Sequence, residues 1–488
     1  MTNNTLVHVR PVTDLTTAPI MSTPATVVLS SDPIATAAAA AAFPPGTALP
    51  LIPPVSYYSS TSLRTGAPHK VAYRVWGAHL PAPAAVAFCV HGLTGNSTNF
   101  TFFAEYLVRT RGWRVVALDV IGRGRSAWLA DAAEYSYAQY TRDVAAVIEQ
   151  YSRDHLHGYG AGDAAAMGNG SSDHSDGSER SDAKTAGGDV KPKRVYVGNS
   201  MGGLIGFHLF SSLASHGLST PLDAFVCNDV GPSLPASTVA FIKSYVVLEE
   251  TFPSFADAYE RVQKNYKAAF GPTADERYFR FITSQALVPA GLTVGRHGVD
   301  PATAAAATTA SVFNATATAA ATANETAGDC KTGTEAASAA GAGAAAAAGF
   351  EFDYDRAGIV AGLGPTSSQV TPESQVPEAV RGVTDFWPLW RGARATAPAV
   401  LLIWGMDSAL LPTALVAEVE ADDEAAAAAE AAAAESKGQG RGGRKVTVMP
   451  VEGTGHLPPL YADAENERVA AWIDEKLSLN NSLNNSSE

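Results

Sequence analysis

Short apolar runs alternate with helical patterns over two parts of the chain. Apolar runs of four to seven residues are typical of strands buried on both faces of a sheet, and the helical patterns between them are typical of crossover helices. The predicted strands are residues 70–76, 84–90, 114–120, 194–198, 224–228, 399–404 and 445–450. The predicted helices are residues 100–109, 137–151, 202–213 and 466–477. The pattern predicts an α/β domain with a mostly parallel central sheet covered by helices on both faces.

The alternation stops between residues 231 and 395. Helical patterns replace it, at residues 241–248, 255–270 and 276–285. Helices inserted into an α/β chain predict a helical cap over one end of the sheet. The predicted core is therefore split into a first part, 55–230, and a second part, 396–477.

Several segments are poor in large apolar side chains and rich in Ala, Gly, Ser, Thr or Asn. They are residues 1–54, 159–192, 301–349 and 478–488. Such segments bury too little apolar surface to offset chain entropy, so each is predicted to be disordered. Residues 421–444 form a further insertion, whose Ala- and Glu-rich first half is made of strong helix formers and could extend a surface helix.

Charge and cysteine content exclude several kinds of function. Lys and Arg number 34 against 48 Asp and Glu, and the resulting net charge of -14 disfavours binding to nucleic acid. The cysteines are Cys89, Cys227 and Cys330, an odd number without paired spacing, which predicts neither a disulfide framework nor a metal site. No apolar run is long enough to span a bilayer, so we expect no transmembrane segment.

The same features bear on location. Unpaired cysteines and a start without the pattern of a secretory signal predict a cytoplasmic protein. The first fifty residues are rich in Thr, Ser and Ala and poor in acids, which leaves a mitochondrial location open. The sequence gives no indication of the oligomeric state.

The sharpest local motif is a G-x-S-x-G at residues 198–202, directly after a predicted strand and before a predicted helix. On so tight a turn the serine hydroxyl projects from the end of the sheet, and glycines are needed because side chains would collide with neighbouring backbone. The pattern alone is weak, and its position carries the inference. Ser200 is therefore the candidate nucleophile for acyl transfer.

A nucleophilic serine needs a base and donors for the oxyanion. His456 follows the last predicted strand in a glycine-containing loop that can bring the imidazole over the end of the sheet, so it is the candidate base. One candidate oxyanion donor is the backbone N–H of Met201, at the start of the helix. The other is the N–H of Leu93, in the loop after the strand 84–90, while His91 beside it is expected to be a structural hydrogen bonder.

These motifs occur in one order along the chain, and together they resemble the α/β-hydrolase superfamily. The matching stretches are residues 91–96, 119–126, 198–203, 228–232 and 453–458. The resemblance implies the α/β-hydrolase fold and a serine hydrolase that cleaves carboxylic esters, thioesters or related acyl bonds without a cofactor. It gives the arginines of residues 119–126 no catalytic role.

The acid of the expected triad stays open between two residues. Many relatives carry it after the seventh strand, in a spacing like G-x-x-D-x-x-x-P, but aligning Gly405 and Pro412 puts Ser408 in that position and Asp407 one residue short. Other relatives carry it after the sixth strand, where Asp229 stands. Both strand ends are expected near the histidine loop, and we favour Asp229 while keeping Asp407 as the alternative.

The combined prediction is a serine hydrolase acting on a small-molecule acyl substrate through Ser200, His456 and an aspartate. Two alternatives remain. The fold also hosts noncatalytic receptors and binding modules. A carbon–carbon bond hydrolase would use the same triad.

Overall fold

The computed structural model describes most of the two core parts and portions of the segment between them. The described residues are 42–43, 50–156, 192–213, 218, 222–234, 239–240, 242, 246, 251–270, 276–290, 349–362, 385–436, 445–456 and 460–478.

The strands and helices of this part of the chain follow in sequence order. The strands are β1 (Val55–Thr61), β2 (Pro68–Trp76), β3 (Ala85–Val90), β4 (Arg114–Leu118), β5 (Lys193–Asn199), β6 (Ala224–Asn228), β7 (Thr251–Phe252), β8 (Leu287–Pro289), β9 (Phe350–Phe352), β10 (Val400–Gly405) and β11 (Val446–Val451). The helices are α1 (Thr101–Arg111), α2 (Tyr137–Leu156), α3 (Met201–Ser211), α4 (Phe255–Phe270), α5 (Glu276–Ala286), α6 (Arg356–Gly362), α7 (Trp387–Thr396), α8 (Thr413–Ser436) and α9 (Asp463–Leu477).

Eight of the described strands form one sheet in the order β1-β2-β4-β3-β5-β6-β10-β11. Strand β2 pairs antiparallel with β1 and β4, and the pairings from β4 through β11 are parallel. The predicted α/β architecture with a mostly parallel sheet is confirmed. Because β5, β6, β10 and β11 are parallel neighbours, their carboxyl ends lie at the same edge of the sheet, where such folds place their sites.

Helices cover both faces of this sheet. Adjacent residues of a strand point to opposite faces, and in β3 Phe88 packs in one apolar cluster while Cys89 packs in the other. The Phe88 side contains buried residues of α2, α3, α7 and α8, and the Cys89 side contains those of α1 and α9. The strands that end at this edge are therefore packed between two apolar clusters.

The start of the domain differs from the prediction. Strand β1 was not predicted, because it is an edge strand that is mostly half-buried and rich in Ser and Tyr. Residues 50–54, assigned by sequence to a disordered segment, pack instead: Ile52 is buried and the Pro53 carbonyl accepts a hydrogen bond from Arg74.

The inserted segment is more than helical. The predicted helix at 255–270 is α4 and the one at 276–285 is α5, whereas the helix predicted at 241–248 lies mostly outside the described residues. Strands β7, β9 and β8 form a small antiparallel sheet that was not predicted, since strands of two or three residues carry no readable periodicity. The chain leaves and rejoins the core side by side, because Ser233 bridges Asp385 and the Phe386 N–H donates to the Pro232 carbonyl at 2.7 Å.

The low-complexity predictions fall largely outside the described residues. This holds for 159–191, 301–348, 437–444 and 479–488. Helix α8 does continue through the Ala- and Glu-rich stretch to Ser436. In the described parts, none of the helices combines the length and apolar character that crossing a bilayer requires.

Candidate active site

Ser200 occupies a sharp turn between β5 and α3. Its backbone has φ 48° and ψ -112°, a conformation that costs a non-glycine residue of order 1–3 kcal/mol and persists only where the surroundings impose it. They do so here: the Ser200 N–H donates to the Asn228 carbonyl at 2.9 Å, and the Ser200 carbonyl accepts the Gly203 N–H at 2.8 Å. Such strain is typical of functional positions.

Glycines on either side allow this turn. A side-chain carbon on Gly198 would lie 2.4 Å from the Gly202 carbonyl oxygen, and one on Gly202 would lie 2.0 Å from the Val90 carbonyl oxygen. Both distances are far inside van der Waals contact. The motif is therefore a packing requirement of this strand-to-helix turn.

His456 links Ser200 to Asp229. The imidazole Nε2 lies 2.9 Å from the Ser200 hydroxyl oxygen, and Nδ1 lies 2.8 Å from Asp229 Oδ2. The three residues follow β5, β6 and β11, so parallel strand ends bring together groups that are 256 and 227 residues apart in sequence. The aspartate is fully buried, the histidine side chain is 14% exposed and Ser200 is half-buried.

Several donors hold the Asp229 carboxylate. The residue has φ 53°, in the left-handed region that aspartate tolerates better than most side chains, and its N–H donates to the Ile403 carbonyl at 2.9 Å. Oδ1 accepts the Gly405 N–H at 2.9 Å, and Oδ2 accepts the Ser408 hydroxyl at 2.6 Å. Donors on both oxygens hold this buried carboxylate in one orientation.

The structure does not bring Asp407 to the imidazole. This residue is exposed, and its N–H donates to the Thr454 carbonyl at 2.9 Å. Its neighbour Ser408, which fills the position of the acid in the commoner motif, turns inward onto Asp229. Sequence reasoning missed the contact of Ser408 with Asp229. The near-match of residues 405–412 to that motif is the signal that could have pointed to it.

The two expected oxyanion donors flank Ser200. Met201 is the first residue of α3, so its N–H has no partner within the helix. The loop carrying Leu93 passes close by, since a side-chain carbon on Gly92 would lie 3.5 Å from Cβ of Ser200. Among the backbone bonds between described segments, neither the Met201 nor the Leu93 N–H is a donor.

His91 fixes the loop that carries Leu93. It is completely buried, and desolvation lowers its pKa to about 4 despite the nearby Asp119 carboxylate. The neutral ring uses both nitrogens: Nε2 accepts the Val120 N–H at 2.9 Å, and Nδ1, which therefore carries the proton, donates to the Gly92 carbonyl at 2.6 Å. Its contacts are structural and join this loop to the turn after β4.

The described residues show no grouping of three or more His, Cys, Asp or Glu side chains suited to hold a metal ion. At the strand ends the structure brings together a serine hydroxyl, an imidazole and a buried carboxylate.

Comparisons with known proteins agree with this fold. A family model described as alpha/beta hydrolase fold matches residues 88–166. A 3-hydroxybutyrate-oligomer hydrolase of Cupriavidus necator is 31% identical over 210 residues, which are 43% of this chain and 55% of that protein. The chain thus spans about half the length of this curated relative.

Two solved structures show the same architecture. An alpha/beta hydrolase from Novosphingobium aromaticivorans has a TM-score of 0.50 and 18% identity, covering 87% of this chain and 99% of the other. A Rickettsia typhi protein assigned as a hydrolase has a TM-score of 0.50 and 16% identity, covering 86% of this chain and 99% of the other. At these identities the likeness concerns the fold alone.

Proposed function

Because the chain has the α/β-hydrolase fold, we propose that it is a serine hydrolase that cleaves a carboxylic ester or related acyl bond. The observation that carries the proposal is the continuous hydrogen-bonded series from Ser200 through His456 to Asp229. A serine hydroxyl is a weak nucleophile by itself, and it needs an adjacent base held in the correct tautomer. The Asp229 carboxylate accepts a hydrogen bond from Nδ1–H, which leaves Nε2 free to accept the proton of Ser200.

In the first half of the proposed reaction, Ser200 Oγ attacks the carbonyl carbon as its proton passes to His456 Nε2. The Leu93 and Met201 N–H groups hold the oxyanion, and Asp229 stabilises the imidazolium. When the intermediate collapses, the bond to the alcohol breaks and His456 returns the proton to the departing oxygen. Water then attacks the acyl-enzyme with His456 again as base, releasing the acid and restoring Ser200.

The first substrates to assay are short oligoesters of 3-hydroxybutyrate. The relative from Cupriavidus necator carries that activity in its name, and an oligoester is a carboxylic ester of the kind this triad can cleave. Simple p-nitrophenyl esters and acyl thioesters complete the panel. A carbon–carbon substrate would need the same triad, so turnover of a diketone is tested alongside.

The noncatalytic receptor is the second candidate. The strained backbone of Ser200 and its bond to a base favour the enzyme, because a receptor that only binds needs neither feature.

The decisive variant is Ser200→Ala, which removes the nucleophile and leaves the turn intact. We expect kcat/KM to fall by about 10⁴-fold or more, with unchanged circular dichroism and melting temperature. Ser211→Ala, on the same helix and bonded only to the His208 carbonyl among the described contacts, serves as the matched control and should retain activity. Full turnover by Ser200→Ala would overturn the proposal. Failure of a fluorophosphonate to label Ser200 in the folded wild type would favour the receptor.

A further inference from the structure

Arg123 joins the two segments that carry the proposed oxyanion donors. Its Nε donates to the Leu93 carbonyl at 2.9 Å, and its Nη2 lies 3.6 Å from the Met201 sulfur. Leu93 lies in the loop after β3 and Met201 is the first residue of α3, so one guanidinium contacts two segments that are distant in sequence. Arg123 therefore contacts both residues whose backbone amides would face the substrate oxygen.

The guanidinium is itself held rigidly. Nη1 donates to the Ile121 carbonyl at 2.8 Å and to the Tyr140 hydroxyl at 3.2 Å, and the cation lies 5.1 Å from the centre of the Tyr140 ring. The backbone of Arg123 is tied as well, through a bridge to Tyr354 of the inserted segment. A side chain fixed at this many points can in turn fix what it touches.

Arg123 is fully buried, yet its hydrogen-bond partners in the described part of the chain are carbonyls, a hydroxyl and a thioether, with no carboxylate among them. Burying a cation without a directly bonded anion is costly. A methionine or leucine would fill the space without that cost. A contribution to folding stability therefore does not explain the arginine well. A role for its charge and its fixed hydrogen-bond donors beside Leu93 and Met201 explains it better.

We propose that Arg123 is a positioning residue for the oxyanion hole, an inference that rests on the proposed serine hydrolase activity. The Leu93 N–H and carbonyl share one α-carbon, so holding the carbonyl limits the directions in which the N–H can point. The contact with the Met201 side chain sets the distance between the Leu93 loop and the start of α3. The guanidinium touches no reacting atom; it acts through the two amides and adds positive potential on their side of Ser200.

The test compares Arg123→Met and Arg123→Lys with a matched control. Arg114 is also buried and also donates to carbonyls and a tyrosine hydroxyl, those of Gly77, Leu80 and Tyr151, at the other end of β4. Arg114→Met therefore measures the cost of removing a buried arginine without touching the site. All variants are assayed for kcat and KM on the best ester substrate and for inhibition by an alkyl trifluoromethyl ketone, whose serine adduct carries the oxyanion.

For Arg123→Met we expect kcat to fall about 10- to 100-fold while KM stays within about threefold, because small misplacements of oxyanion donors act on the transition state. The affinity for the trifluoromethyl ketone should fall by the same factor as kcat/KM. Arg123→Lys keeps the charge and should recover part of both losses. Arg114→Met should leave kcat per folded enzyme and ketone affinity unchanged.

Three results would overturn the inference: unchanged ketone affinity in Arg123→Met, a loss confined to KM, or equal losses in Arg114→Met. If Arg123→Met does not fold, Arg123→Lys decides alone, and wild-type kcat in that variant counts against the role. Retained turnover by Ser200→Ala would instead refute the proposed hydrolase itself, whatever Arg123 does.

Discussion

The carboxyl ends of β6 and β10 are neighbours in the sheet, and each carries an aspartate that the sequence allows as the acid. Asp229 at the end of β6 is buried and has donors on both carboxylate oxygens, whereas Asp407 after β10 is exposed. The difference shows that an aspartate near the right strand end is not sufficient. What distinguishes a candidate acid is a set of donors that holds the carboxylate toward the imidazole.

The two strand ends contribute different groups. The end of β6 carries the Asp229 carboxylate, and the end of β10 carries two of the groups that orient it, the Gly405 N–H and the Ser408 hydroxyl. An acid after β10 would occupy the position of Ser408. This comparison of the two strand ends leads to four predictions, in order of decreasing effect.

The largest effect is expected for Asp229→Asn. The amide cannot stabilise the imidazolium, and it can donate to Nδ1, which favours the wrong tautomer of His456. We expect kcat to fall by about 10³- to 10⁴-fold. Steady-state kinetics on the ester panel measures this, and a residual activity above one tenth of wild type would remove Asp229 from the triad.

A second variant tests whether the acid can move. Asp229→Ala combined with Ser408→Asp moves the carboxylate to the β10 side. In the wild type the Ser408 hydroxyl lies 2.6 Å from Asp229 Oδ2, so the new carboxylate starts close to the position of the old one. We expect kcat to recover about 10- to 100-fold relative to Asp229→Ala alone, because an anion again faces the imidazole. Asp229→Ala with Ser408→Asn is the uncharged control. Equal activities in the two double variants would mean that the β10 end cannot supply the acid.

Ser408→Ala tests the orienting role, although it also removes the acceptor of the Leu410 and Leu411 N–H groups. It removes one of the donors to Asp229 but leaves the Gly405 N–H and the His456 bond. We expect a drop in kcat of about 3- to 10-fold with little change in KM, in keeping with the loss of one hydrogen bond to a charged group. Ser408→Thr, which keeps a hydroxyl, should retain more activity than the alanine. The reverse order would indicate a purely steric effect.

The smallest effect belongs to Asp407→Asn. The side chain is exposed, and the variant retains the backbone N–H that donates to the Thr454 carbonyl. We therefore expect kcat to stay within about twofold of wild type and the melting temperature within about 2 °C. A loss approaching that of Asp229→Asn would reverse the comparison between the two strand ends.

The parts that sequence could predict depend on local rules. Repeated strand and helix patterns indicated the parallel sheet, and the requirement for glycine at Gly198 and Gly202 located the turn that carries Ser200. His456 could be singled out because it follows the last strand. In each case, the relevant residues lie within a few positions of one another or follow a regular period.

What sequence could not predict depends on contacts between distant segments. Strand β1 lacks the apolar run of a central strand, and its position follows from pairing with β2. The choice between Asp229 and Asp407 depends on donors 176 and 179 residues beyond Asp229. Arg123 was given no role because its motif says nothing about Leu93 or Met201, which become its partners only after folding.

The bridge between Ser233 and Asp385 makes the intervening segment a loop closed at its base. The entropy of closing a loop rises only with the logarithm of its length, about 0.6 kcal/mol for each doubling. Surface connections between those two points can therefore change in length at little thermodynamic expense and without pulling on the adjoining β6 and β10, provided that packed contacts such as the Arg123–Tyr354 bridge are kept. Variation over evolution is then expected in those connections, while Ser200, His456 and Asp229 keep their spacing.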